Sequence, residues 1–316
     1  MQRMTTRLRR RLAREEGASA AVVALLLVPL LGFAAIAVDV GALYAERARL
    51  QVGADAAALA VAQDCARGNC GDMLATARAL LDANDPEGTA GQPVLSTNPL
   101  SVTVTGSTPK EHWFAPVIGH DATGVSATAT VGWGSPSGGT ALLPLIFSYC
   151  EFTHQVGGPS VTTEQYVGLP KKTETPCDSP KSGNPIPGSF GWLTADPGTC
   201  HATSRIDGWF LAETGNNPSK GCEVADLTAM RNQTVLLPLY DAVRGTGSGG
   251  EYHVYGYAAF RISGYFFGGQ YSWNPPCKGS DRCLSGYFTR FVELSDAWDY
   301  SPDAPSLGAS VLRLIR

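Results

Sequence analysis

Eight cysteines, Cys65, Cys70, Cys150, Cys177, Cys200, Cys222, Cys277 and Cys283, are the residues of this 316-residue chain whose type and spacing bear most directly on chemistry. Thiols either hold a metal or pair with one another. Zinc sites draw on knuckles spaced about two to four residues apart, and Cys65/Cys70 and Cys277/Cys283 are set wider than that. Cys150 with His154, and Cys200 with His201, are isolated matches to a metal pattern. An even number of cysteines, all on one side of a long apolar segment, reads instead as a disulfide framework in an exported region. We expect the local bridges Cys65–Cys70 and Cys277–Cys283. For the remaining four, Cys150–Cys177 with Cys200–Cys222 is one of three open pairings. No metal ligand set is expected.

Catalytic patterns are sparse in a chain with 16% charged residues and five histidines. There is no G-x-S-x-G nucleophile turn, no H-E-x-x-H, no G-x-x-x-x-G-K-[ST], and no G-x-G-x-x-G that opens a helix. Ser107-Thr-Pro-Lys110 has the letters of S-x-x-K, but Pro109 opposes the helix that motif needs. No catalytic or cofactor-binding residue is assigned, and the chain reads as a non-enzyme. One aromatic group stands out: Tyr255, Tyr257 and Tyr265 share the parity of a single strand face. Exposed, they would make a platform for a carbohydrate or a protein partner; packed, they would belong to a sheet buried on both sides.

The element that must position the rest lies near the N-terminus. Gly17 to Val38 carries no charge between Glu16 and Asp39, and as a helix it would reach roughly 33 Å at about 1.5 Å per residue, enough to cross a bilayer. Six arginines precede it (Arg3, Arg7, Arg9, Arg10, Arg11, Arg14) against two glutamates, while acidic residues exceed basic ones in the rest of the chain. The Lys/Arg excess belongs on the cytoplasmic side, so the N-terminus is expected inside and the C-terminal part outside. A cleaved signal peptide is the competing reading, since Ala35-Ile36-Ala37 fits an A-x-A site with release after Ala37. The apolar run exceeds the usual core of such a peptide, and helical periodicity continues past the cut. The only basic cluster is this one, so nucleic acid is not expected as a partner.

Beyond Asp39, Leu43, Leu50 and Ala57 recur every seven residues with Tyr44 beside them, and a dense run of alanines favours helix. That stripe would pack either on the chain's own body or on neighbouring subunits. Glu16-Gly17, Val38-Asp39, Gly41, Leu43-Tyr44, Arg47, Leu50-Gln51 and Ala54-Asp-Ala-Ala-Ala-Leu-Ala60 resemble the N-terminal module of the TadE/TadG-like proteins of tight-adherence (Flp) pilus assembly. The resemblance is specific over about residues 14–62. It implies a single-pass envelope protein whose partners are membrane lipid and other pilus or secretion-machine subunits. On the subunit-packing reading, Asp39, Leu43, Tyr44, Leu50 and Ala57 form an assembly helix, with Asp39 either the marker of the membrane boundary or a residue that pairs with a basic side chain of a neighbour. Gly17-Ala18 is where a prepilin-type cleavage would fall, although Val22 stands where type IV prepilins have Glu.

The remaining chain predicts an α+β protein ending in a mostly β, disulfide-stabilised domain. After the Cys65–Cys70 loop, a helix is expected over 72–82, then strands around Val102–Val104 and Val125–Val131 flanking a short helix within Trp113–Gly119. Gly132–Thr140 (GWGSPSGGT) reads as a linker. Strands follow at Val235–Tyr240, Tyr252–Phe267 and Tyr287–Leu294, with Gly256 and Gly264 marking a bulge or a close approach by another backbone. The resulting division is 1–16 cytoplasmic, 17–38 transmembrane, 39–134 an exported helix with a small α+β unit, and 141–316 the β domain. Function in assembly is the first reading. A secreted or surface-held adhesive module released after Ala37 is the second, and an exported hydrolase a distant third.

Overall fold

The structure is a computed structural model that describes residues 2–156, 165–169, 177–186, 189–213, 215, 217–293 and 296–315. The side chains of the arginine cluster, Gly17 and Ala18 lie outside the described residues. The architecture is α+β: one long apolar N-terminal helix, a short second helix, and a mostly β remainder with four disulfides. The chain forms two compact units, 1–58 with 73–93 and 103–129, and 59–72 with 94–102 and 130–316.

In the first unit, helix α1 (Gln2–Ala66) supplies its residues up to 58, and α2 (Met73–Asn84) buries Ala77 and Leu81, four residues apart on one face. Strand β1 (Leu100–Glu111) pairs with β2 (Ala122–Ala141), and the 3₁₀ turn Ala115–Ile118 joins them. Leu50, Leu81, Val125 and Ala127 form the core, with Leu43 and Ala90 partly buried against it. The alternation of Val125, Ala127 and Ala129 puts these small apolar residues on the buried side of β2.

The second unit is built on a six-strand path. After β3 (Leu145–Ser148) and α3 (Tyr149–Val156) come β4 (Gln165–Leu169), β5 (Phe190–Trp192), β6 (Thr234–Arg244), β7 (Glu251–Phe266) and β8 (Arg282–Thr289), in spatial order β4-β8-β7-β6-β3-β5. All pairs are antiparallel except β6 with β3. Both faces of this sheet are covered, so β6 reads as a continuous apolar run, not an alternating one. On one face Phe147, Phe260 and Phe288 meet at centroid distances of 5.0, 5.6 and 4.9 Å. On the other, Leu236, Tyr257 and Ala259 pack with Trp298 and Val311 of a second layer.

Gly132–Thr140 is not a linker. It is the second half of the 20-residue strand β2, pairing with β9 (Ala309–Ile315) and with the short strands Trp298–Ser301 and Ala202–Arg205. The small residues that suggested a flexible connection let neighbours close in: a Cβ on Gly134 would sit 2.8 Å from the Tyr300 ring. Pro136 is tolerated because the register slips beside it, leaving Ser137 as an extra residue. The boundary expected between 134 and 141 therefore falls inside a paired strand.

The disulfides are Cys65–Cys70, Cys150–Cys177, Cys200–Cys222 and Cys277–Cys283, and among the described residues no cysteine is free.

Candidate functional site

Asp39 closes the apolar run, and its carboxylate is already occupied. The residue is 6% exposed. Its Oδ1 accepts from the backbone N–H of Trp113 at 2.9 Å and Phe114 at 3.3 Å, and its Oδ2 from Phe114 at 3.1 Å and Ala115 at 2.8 Å. Those amides open the 3₁₀ turn Ala115–Ile118, whose own preceding residue, Phe114, has no side chain able to cap it. Asp39 does the capping from 75 residues away in the chain. Burial pushes its carboxyl pKa up, but the three N–H donors and nearby His112 together outweigh burial and hold it below the usual range. Within this fold both carboxylate oxygens of Asp39 are engaged by backbone N–H groups of the loop.

The loop it fixes is well braced and strongly apolar. His112 N–H donates to Asp121 O at 2.9 Å, His112 Nε2 meets Thr123 Oγ1 at 2.8 Å, and Gly119 ends the turn at φ +89°, in the left-handed region that glycine enters without strain. Yet Trp113, Phe114, Val117 and Ile118 are 75, 47, 90 and 73% exposed. A cavity of about 540 Å³ runs between this loop and α1, lined by Gly32, Ile36, Val40, Phe114, Val117 and Ile118 among others.

The seven-residue stripe of α1 faces inward. Leu50 and Ala57 are fully buried in the chain's own fold, and Leu43 is partly buried on the same core. Leu50 and Ala57 thus offer no exposed surface in this fold; of the five assembly-helix residues Tyr44 alone stands well clear, at 73% exposure. It borders a shallow groove of about 410 Å³ with Val40, Arg47 and residues 123–126. Nearby on α1, Glu46 is buried and takes a 2.8 Å bond from Lys110 Nζ, with Arg49 at 3.8 Å. The Lys110 hydrogen bond lowers the Glu46 carboxyl. Burial raises its neighbour Asp85, and the charge of Glu46 adds to that.

The tyrosine platform does not form. Two β-bulges interrupt β7, leaving Tyr255 and Ser263 as extra residues, so equal parity no longer means equal face. Tyr257 is fully buried, its ring edge-on to Trp298 at 4.9 Å and its hydroxyl 2.9 Å from Ser204 Oγ. Tyr265, also buried, stacks on Phe267 on the opposite face, and Tyr255 is half-buried against Tyr149.

One polar cluster escaped the sequence. Ser179 Oγ donates to Asp241 Oδ2 at 2.9 Å and His253 Nδ1 lies 2.6 Å from Asp241 Oδ1. Both contacts end on the carboxylate, so serine and histidine are not in series as nucleophile and base. The backbone N–H groups of Lys181 and Ser182 also donate to Ser179 Oγ, which makes the hydroxyl a turn brace. Among the described residues no group of three or more His, Cys, Asp or Glu side chains is placed to hold a metal.

Fold and site together define a class: an α+β body carrying an exposed apolar helix long enough to cross a membrane, with one such helix among the described residues. The family model described as "Putative Flp pilus-assembly TadE/G-like" matches residues 17–64, the stretch of α1 that contains the apolar run, Asp39 and the buried stripe. No curated protein and no solved structure matches the chain.

Proposed function

We propose that the protein is a membrane-anchored structural component of a Tad (Flp, type IV-like) pilus or related secretion system, with residues 1–16 cytoplasmic, 17–38 spanning the membrane, and the remainder outside. The observation that carries this reading is the coincidence of the TadE/G-like match with a single unbroken helix whose first part is exposed and apolar and whose second part is built into a folded body. Such a helix couples anchor and body as one piece. Its work is assembly rather than catalysis, through lipid and through other subunits of the machine, and the exposed Tyr44 side of α1 is the contact face we favour.

Membrane fractionation, N-terminal sequencing and protease access to the C-terminal part test the anchor, and deletion followed by counting surface fibres tests the role. A soluble form beginning at Val38 would support the released module instead. A form beginning at Ala18 would restore prepilin-type processing. Normal fibres in the deletion strain would remove the protein from assembly.

A further inference from the structure

The six positions from Trp113 to Ile118 carry no charged side chain, and four large apolar ones among them face outward from a loop braced at both ends. Such a run is anomalous on a surface bathed by water. Its position explains it. Asp39 ties the loop to α1 at the residue where the uncharged run ends, and the cavity beneath the loop is lined by Ile36 and Gly32. Gly32 lies seven residues before Asp39, about 10 Å along the helix at 1.5 Å per residue. Val117 and Ile118 thus share a groove with residues well inside the apolar run.

We propose that the loop 113–118 is a second membrane-contacting element, seated in the outer leaflet beside the helix, with lipid acyl chains filling the groove. This rests on the reading that Gly17–Val38 spans the bilayer. Lipid is the favoured occupant because the loop's apolar surface is continuous with the exposed apolar surface of α1 and needs only an apolar surrounding. Trp113 suits the headgroup boundary, where an amphipathic ring is stable; exposed Asp121 sits where the loop returns toward water, and His112, His120 and Thr123 give the groove a polar side suited to the headgroup region. The three N–H groups that donate to Asp39 let a carboxylate remain at that boundary without an unsatisfied oxygen. Two membrane attachments, helix and loop, would fix the rotation of α1 about its own axis, which an isolated helix leaves free.

The test uses the full chain with one added cysteine, since the native eight are paired. Val117→Cys carries an environment-sensitive fluorophore in phosphatidylcholine vesicles, with Ile36→Cys as the label within the span and Val52→Cys as the label in water; all three positions are exposed, so folding is not at stake. We expect doxyl-labelled lipid to remove as large a share of emission from position 117 as from 36, and aqueous iodide to quench only 52. Quenching of 117 by iodide with 36 still quenched by lipid overturns the loop insertion and leaves the span intact. Loss of lipid quenching at both 36 and 117 overturns the span and the loop together. Shielding of 117 from both quenchers also overturns the proposal, because the occupant is then protein.

Discussion

The carboxyls of Asp85 and Glu46 are shifted in opposite directions although they are buried side by side. Glu46 is lowered from 4.5, chiefly by Lys110, so its stabilising contribution is complete above that value and disappears as pH falls through the lowered one. Asp85 is raised from 3.8, chiefly by burial, so folding is favoured most below that value and loses stability as pH rises through the raised one. Burial makes the ionised form of Asp85 a cost, and among the described residues no donor reaches its buried Oδ2. Asp85→Asn keeps an oxygen for the Glu87 N–H and turns a donor toward Glu46. We expect it to raise stability at pH 7 by on the order of 1 kcal/mol and to gain nothing at pH 3, as read from urea melts at both values. Asp39→Ala acts differently: it strands the amides of Trp113, Phe114 and Ala115. Their hydrogen exchange should quicken while the amides of β7 stay protected, and unchanged protection at 113–115 would contradict the capping role. Neither arrangement was legible in the sequence. Asp39 reads there as the end of an apolar run, because a carboxylate does not announce amides 75 residues downstream.

At the scale of elements, burial decides which side of α1 is structural. Leu50 is fully buried against Leu81 and Val125, so Leu50→Ala should cost about 2–5 kcal/mol in unfolding free energy. Tyr44→Ala removes a side chain in solvent and should leave the melt within about 0.5 kcal/mol of the parent while, under the proposed assembly role, reducing co-purification with pilus subunits. The reverse ranking in denaturant titrations would refute this packing of α1. Bridges should rank by loop size: opening Cys200–Cys222, 22 residues apart, should cost roughly 3 kcal/mol in the chain-entropy model, and opening Cys65–Cys70, five apart, less. Periodicity made the long helix, the α+β class and the principal strands readable beforehand, because each repeats a pattern over many residues. It failed where strand geometry departs from its period. Bulges at Tyr255 and Ser263 moved tyrosines between faces, and the glycines of β2 mimicked a linker while opening room for Tyr300. Gly264 was a usable signal, since a Cβ there would lie 2.4 Å from the Asn274 carbonyl.

For the whole molecule, the decisive quantity is where the apolar surface of α1 goes. Between 19 and 38 every described residue except Ala35 is exposed in the fold, so this segment contributes almost nothing to the core and must be covered from outside. A form lacking residues 1–37 should therefore fold and melt close to the parent yet leave the membrane fraction. The proposed orientation adds a link between charge and redox chemistry. If the arginines hold the N-terminal side in the cytoplasm, all eight cysteines lie where disulfides persist. Replacing Arg7, Arg9, Arg10 and Arg11 by Glu removes that bias, and chains retained on the reducing side should then keep their thiols. Alkylation with a mass-shifting maleimide under denaturing, non-reducing conditions counts them. The parent should show none, and the charge-reversed variant a population modified at eight. A variant that is fully oxidised with its C-terminal part outside would mean that the arginines do not set the topology, and that the folded body, drawn outward by other means, does.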